Sequence, residues 1–224
     1  MQESTNRESR NTVIKKIRKA LIHKTNNRFP GVDWEKSVYA PQGDSPEETF
    51  ARSFSKIGGQ FVYCENDLDF AEKLLNLTEQ NSWKKFLCWE PKITALLDRF
   101  EFPYSTTDKD FEEGIAGLTS CEALVARTGS ILVSSRQGSG RRLPIIPTSH
   151  VVLAYTSQLV PELKDGLQLI RNKYGEQFPS MIGNIAGPSR TADIEKTLVT
   201  PAHGPRDIFV FLVDDTNTPL PKNG

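Results

Sequence analysis

Three features of the sequence predict an α/β protein with one main domain. Short apolar runs rich in β-branched and aromatic residues recur, helical periodicities lie between them, and Gly, Pro or capping residues punctuate the junctions. With 224 residues, of which 37% are hydrophobic and 25% charged, the chain can bury one sizeable core and is not disordered in the main. Asp44-Ser45-Pro46-Glu47-Glu48 opens a helix with a cap, a Pro in the first turn and acids at the positive end of the dipole, and Gly58-Gly59 stops it. A strand over 60–64, a helix over 67–77, a strand over 85–89 and a helix over 92–100 follow. These strands are nearly continuous apolar runs, so the opening part of the sheet is expected to be parallel, with helices on its faces. Two β-rich runs, 122–128 and 130–135, then break the alternation as a hairpin around Thr128-Gly129. The last third returns to it with a strand at 149–155, a helix at 160–174, a strand at 180–186, a helix starting near Pro188 and a strand at 207–213.

The expected domain layout is a basic helix and linker over 1–44, an α/β domain over 45–215 and a frayed tail over 216–224. Residues 1–28 carry eight Lys and Arg against two Glu, a net of +6. Val13, Ile14, Ile17 and Leu21 recur at helical spacing, giving a helix over 11–24 with an apolar stripe and a basic face. That face could meet an anionic membrane or an acidic partner, or be the solvated side of a helix docked on the body.

Composition removes several function classes. Twenty-eight basic residues balance twenty-eight acidic ones, which takes away the global electrostatic case for nucleic acid. The longest apolar runs, 151–155 and 209–213, fall far short of the roughly 20 residues a membrane helix needs, and Met1-Gln2-Glu3 opens no secretory signal. A cytoplasmic protein without an integral membrane segment is expected. Cys64, Cys88 and Cys121 have no Cys-x-x-Cys spacing, which argues against a disulfide framework, a zinc ribbon or an iron–sulfur site within this chain, and Cys64 and Cys88 sit in apolar runs where a buried thiol is expected. No bound metal is expected either, since no second His stands at ligand spacing from His150 or His203.

Two segments could hold an anion. The loop 136–142 combines Gly138 and Gly140 with Arg136, Arg141 and Arg142, pairing close backbone approach with guanidiniums, although its spacing fits neither a Walker loop nor a dinucleotide fingerprint. The stretch Gly187-Pro188-Ser189-Arg190-Thr191-Ala192-Asp193 follows a strand and opens a helix, so it places hydroxyls, a guanidinium and free N–H groups beyond the carboxyl end of that strand; plain capping by Ser189 or Thr191 explains it equally well. His150 and His203 suit a general base, a hydrogen bond to substrate or a structural bond. A Gly-x-Ser-x-Gly nucleophile elbow is absent.

The segments GIAGLTSCEALVARTGSILVSS (114–135), GSGRRLPIIPTSHVVLA (138–154) and, above all, GPSRTADIE (187–195) with His203-Gly204-Pro205 closely resemble the LUD domain of the lactate-utilisation C proteins, also called DUF162. The likeness runs from about 45 to 215. It implies an open sheet of the NagB/RpiA/CoA-transferase-like kind flanked by helices. It further implies a subunit that acts with two iron–sulfur lactate-utilisation proteins in oxidising L-lactate to pyruvate, has no cofactor of its own, and leaves the clusters to its partners. The ligand pocket so implied comprises Thr128, Gly129, Arg141, His150, Ser189, Arg190, Thr191, Asp193 and His203, with Arg190 or Arg141 gripping a carboxylate or phosphate of a small anionic ligand. CoA transferases of this fold use a glutamate nucleophile, and many LUD sequences carry Glu before Thr-Gly; here that residue is Arg127, which cannot form an acyl-glutamyl intermediate. The alternative function is an independent enzyme acting on a phosphorylated or CoA-linked metabolite.

Overall fold

A computed structural model describes residues 2–22, 31–33, 43–107, 115–189 and 204–216. The chain divides into two compact units, 1–41 and 42–224. In the first, helix α1 (Gln2–Ile22) starts well before the apolar stripe does, because Gln, Glu and Arg are good helix formers without apolar help. Val13, Ile17 and Leu21 are exposed and Ile14 is half-buried.

The second unit is organised by a parallel sheet of five strands. In spatial order these are β1 (Gln60–Cys64), β9 (Asp207–Val213), β6 (Ser149–Tyr155), β3 (Ile115–Ser120) and β2 (Lys85–Cys88). All four pairings are parallel, and β6 runs in register with β9 from Ser149–Asp207 to Tyr155–Val213. Its central strands are apolar on both faces because both faces are covered. Along β9, Phe209, Phe211 and Val213 point to one core, and Ile208, Val210 and Leu212 point to the other.

Helices cover the first face. Helix α3 (Asp67–Gln80) contributes Phe70 and Leu74, and helix α4 (Pro91–Arg99) contributes Ile93, Leu96 and Leu97. Phe70 meets Phe211 edge to face with centroids 5.4 Å apart, a pairing worth about 0.5–1.5 kcal/mol beyond its buried area. Asn66 caps α3 by accepting from the N–H groups of Leu68 and Asp69. The helix ends at Asn81 and at Ser82, whose φ of 51° takes the chain out of helical geometry.

The second face is covered differently. Helix α2 (Pro46–Lys56), capped by Ser45 Oγ accepting from Glu48 N, lays Phe50 and Phe54 on it. Beside α2 lies a second, four-stranded sheet, ordered β7 (Leu159–Val160), β4 (Ala123–Val125), β5 (Ser130–Ser134) and β8 (Ile182–Ile185). Leu124, Ile131 and Val133 face the main sheet, and Ala123, Val125 and Leu132 face helix α5 (Leu163–Tyr174) on the far side. The layers are therefore helix, sheet, sheet, helix.

Three departures from the expected elements are local. Strand β3 sits between β2 and β6 in the main sheet yet reads weakly in sequence, because Gly117 and Ala116 dilute its β-pattern. Gly117 is there for close approach: a Cβ would stand 2.7 Å from Pro147 Cγ and 3.2 Å from the Leu143 carbonyl of the segment that crosses the sheet toward β6. Helix α5 begins at Leu163 and not at 160, because Val160 precedes Pro161 and is biased to extended geometry, pairing instead with Val125. The hairpin joins shorter strands through the turn 126–129. The expected helix near Pro188, the end of the 11–24 helix at Lys24, and the tail from 217 lie outside the described residues.

The tip of that turn locks the layers together. Gly129 has φ 62°, and a Cβ on it would lie 2.3 Å from Phe54 N and 2.5 Å from Ser53 C in the backbone of α2. Gly129→Ala is expected to cost at least about 2 kcal/mol in urea denaturation, from left-handed strain plus overpacking. Gly43→Ala, with open space around it, should stay within about 0.5 kcal/mol of the native chain. Equal stabilities for the two variants would contradict this packing.

Candidate functional site

Two polar regions flank the main sheet, one at each end of its strands. At the amino end, the segments entering β6 and β9 are tied together: Arg206 N donates to Thr148 O at 2.8 Å, and Ser189 N donates to Pro205 O at 2.9 Å. Gly187 (φ 99°) passes so close to α2 that a Cβ would lie 2.7 Å from Ile57 O. His150, the second residue of β6, is fully buried and lies between its cross-strand neighbours Gly117 and Ile208. Its Nε2 is 2.8 Å from Thr119 Oγ1, while Nδ1 is buried with no partner among the described residues. An unsatisfied buried polar atom costs about 1–3 kcal/mol. Burial pushes the imidazole pKa down to about 3, so the ring is neutral at physiological pH.

The carboxyl end carries a continuous polar chain. Glu90, at the start of α4, accepts from Ser120 N at 2.8 Å and from Ser120 Oγ at 2.5 Å. Gln137 Nε2 donates to Ser120 Oγ, and its Oε1 accepts from Ser134 N. Ser134 Oγ in turn donates to Glu122 at 2.5 Å, and Tyr174 OH and Lys173 Nζ donate to the same carboxylate at 2.8 Å each. Burial and the bond to Glu122 raise the Tyr174 pKa; for Lys173 burial works downward, and the Glu122 partnership reverses it. Glu122 is 1% exposed. Nearby, Asp215 receives Thr156 Oγ1, Ser157 Oγ and Ser157 N, and these bonds overcome its burial to hold the carboxyl below the usual range.

The described members of the set singled out in the sequence fall at two places and not at one. Thr128 is exposed and bonds Ser130 Oγ at 2.6 Å, and Gly129 is buried against α2, so both serve the hairpin. Arg141 donates to Ser180 Oγ at 2.8 Å and Arg136 to Gln177 O at 3.1 Å, so the Arg- and Gly-rich loop is fastened to the approach to β8, at the carboxyl end of β3. Its Gly138 comes within 3.5 Å, by a Cβ position, of Glu90 and Pro91. Ser189 and His150 lie at the other end. The stretch after β8 does follow the carboxyl end of a strand as expected, but β8 belongs to the small sheet and runs antiparallel to β5, which delivers Ser189 to the amino end of β9. Arg190, Thr191, Asp193 and His203 lie outside the described residues.

Glu90, Thr119, Ser120 and Gln137 escaped the sequence reading, because each bonds across chain separations that carry no spacing signal. Arg127 is accounted for: its Nε donates to Glu162 at 2.7 Å, both side chains mostly buried, joining the hairpin to the start of α5. Glu122 is ill-placed to replace a missing nucleophile, since it is buried and three donors already hold its two oxygens. Cys64 and Cys88 sit on the helix-covered face of the main sheet with thiols pushed up to about 12 by burial, and Cys121 lies on the opposite face, its thiol raised for the same reason. Among the described residues no helix is long and apolar enough to cross a membrane.

The model of the LUD domain matches residues 47–213, three quarters of the chain and all nine strands. The chain belongs to the LUD domain family. This LUD protein is 28% identical over 174 residues to lactate utilization protein C of Macrococcus caseolyticus, covering 77% of this chain and 69% of that one. It is 34% identical over 154 residues to the protein of the same name from Halalkalibacterium halodurans, covering 62% and 67%. With the Bacillus subtilis protein of that name it shares 34% over 109 residues, and there the match spans under half the length of either chain, 48% and 45%. In fold it is similar to a DUF162 family protein from Deinococcus radiodurans, with a TM-score of 0.58 at 18% identity over 75% of this chain and 96% of that one.

The buried imidazole of this LUD domain gives a pH signature. A His whose folded pKa is depressed stabilises fully above its unfolded value near 6.5, and that stability is lost as the pH falls toward 3, because only the unfolded chain takes up the proton. Between pH 7.5 and 5 the native chain should lose about 2 kcal/mol relative to a His150→Gln variant, read from urea midpoints. Parallel pH dependences would contradict a buried neutral His150.

Proposed function

We propose that this chain is the C-type component of a lactate-utilisation system, acting with two iron–sulfur proteins in the oxidation of L-lactate to pyruvate. The observation that carries this reading is the LUD match over 47–213 together with relatives named lactate utilization protein C. In the proposal the chain works in the cytoplasm, binds a small anionic ligand and carries no redox centre; the two electrons and two protons removed from lactate leave through its partners. The placement of the thiols supports this division of labour. They lie on opposite faces of one sheet, in apolar surroundings that disfavour the thiolate a cluster needs.

The ligand position consistent with the geometry is the amino end of β6 and β9. There His150 and Ser189 stand near the segments that enter both strands, and Arg190 follows Ser189 directly in sequence. A guanidinium there would bind a carboxylate bidentately. Thr191, Asp193 and His203 remain in the proposed set as members of the same motif, whereas Thr128, Gly129 and Arg141 leave it. An acyl-glutamyl mechanism has no support here, with Arg127 paired to Glu162 and Glu122 buried and held by three donors.

Tagged chain captured from cells grown on L-lactate is expected to bring iron–sulfur proteins with it and to reduce a dye in a lactate-dependent manner, while the purified chain alone does not. Arg190→Ala should lower that activity at least about 100-fold, the scale of losing a charged substrate contact, with an unchanged circular dichroism spectrum. Normal activity in the variant would overturn the site, and a captured chain without lactate-dependent activity would overturn the function.

A further inference from the structure

The buried pair Thr119–His150 carries an assignment that neither the family match nor the relatives' names contain. Thr119 Oγ1 makes two hydrogen bonds, one to Ser120 O at 2.9 Å and one with His150 Nε2 at 2.8 Å. A carbonyl oxygen can only accept, so the single hydroxyl proton goes to Ser120 O. Thr119 Oγ1 must then accept from His150, which places the imidazole proton on Nε2. A flipped ring is excluded, because a ring carbon would stand 2.8 Å from the oxygen, well inside the 3.3–3.6 Å of a C–H···O contact. Nδ1 is left as a bare lone pair in the interior, without a partner among the described residues.

The described neighbours of the ring show which protein groups could donate to Nδ1. On the sheet His150 is flanked by Gly117, over which Pro147 and Leu143 pack, and by Ile208. None of these side chains offers a donor. Among the described residues burial alone lowers the ring's proton affinity, with no charged side chain contributing. A ring kept neutral by burial acts through its N–H and its lone pair and not through a positive charge.

We propose that His150 Nδ1 is a hydrogen-bond acceptor for one buried O–H group, supplied by an internal water or by the hydroxyl of a bound 2-hydroxy acid, and that Thr119 fixes the tautomer that makes it so. The 2-hydroxy acid arm rests on the lactate-utilisation reading; the tautomer and the acceptor do not. In this arrangement Thr119 is a positioning residue, since it acts through the ring. A ligand bound this way is recognised by its hydroxyl, so an acid of the same size without one is discriminated against.

Long-range proton–nitrogen NMR of the full chain with 15N-labelled histidine tests this at pH 7. The expected result is a neutral His150 protonated on Nε2, with the Nδ1 resonance shifted as for a hydrogen-bonded acceptor. L-Lactate and propionate then separate the two donors. A further Nδ1 shift with L-lactate but not with propionate identifies the ligand hydroxyl; a bonded Nδ1 indifferent to both, with a water cross-peak to the ring, identifies an internal water, and each of these outcomes supports the acceptor, whereas a bond donated by a side chain of the protein overturns it. Thr119→Ser, which keeps the hydroxyl, should retain the native tautomer, and Thr119→Val should populate both tautomers. A proton on Nδ1, an imidazolium, or a Nδ1 resonance at the free-acceptor position with and without L-lactate would overturn the proposal. Because the readout needs no partner proteins, its failure is distinct from the failure of lactate-dependent activity in the captured complex.

Discussion

Burying the Glu122 carboxylate is the constraint from which much of the architecture follows. A charged carboxylate removed from water loses several kcal/mol of hydration unless its oxygens are filled by donors. Here three donors come from two places: Ser134 at the end of β5, and Tyr174 and Lys173 in the last turn of α5. Satisfying one residue thus draws the second sheet and the outer helix toward the carboxyl end of β3. Gln137 and Ser120 extend the same logic to Glu90 and the start of α4. A network of this kind is stabilising only when complete, which is why so many elements converge on it.

The two ends of the sheet consequently differ in kind. At the carboxyl end, where an open parallel sheet ordinarily receives ligands, the oxygens of Glu122 and Glu90 are already engaged by the protein's own donors. At the amino end one buried nitrogen has no partner among the described residues, close to the entries of β6 and β9. Three residues of β3, about 10 Å, separate Gly117 beside His150 from Ser120 in the network. The antiparallel course of β8 brings Ser189 to the amino end, an outcome of how the second sheet folds over the first.

Much of the scaffold was legible in the sequence because local chemistry matched global demand. The strands 60–64, 149–155 and 207–213 were read at their observed limits, since continuous β-branched and aromatic runs have one good use between two covered faces. A Ser or Asp cap was legible at 44–45, where Ser45 takes the role, and Thr128-Gly129 was legible as the turn. Strand β3 was missed because close approach by Leu143 and Pro147 demanded a glycine where a β-former would have announced the strand. The site was less legible. Glu90, Ser120, Gln137 and Thr119 gain their meaning from partners 17 to 31 residues away, and no periodicity encodes that. Arg141 looked like an anion ligand by type, yet Ser180 occupies it.

The measurement that bears most directly on this account is a backbone amide chemical-shift map of the full chain titrated with L-lactate. A ligand position at the amino end requires saturable shifts concentrated in 148–150, 187–189 and 204–206, with 88–90, 120–122 and 134–141 unmoved. Saturable shifts centred on the carboxyl-end network, or none anywhere up to millimolar lactate, would contradict it.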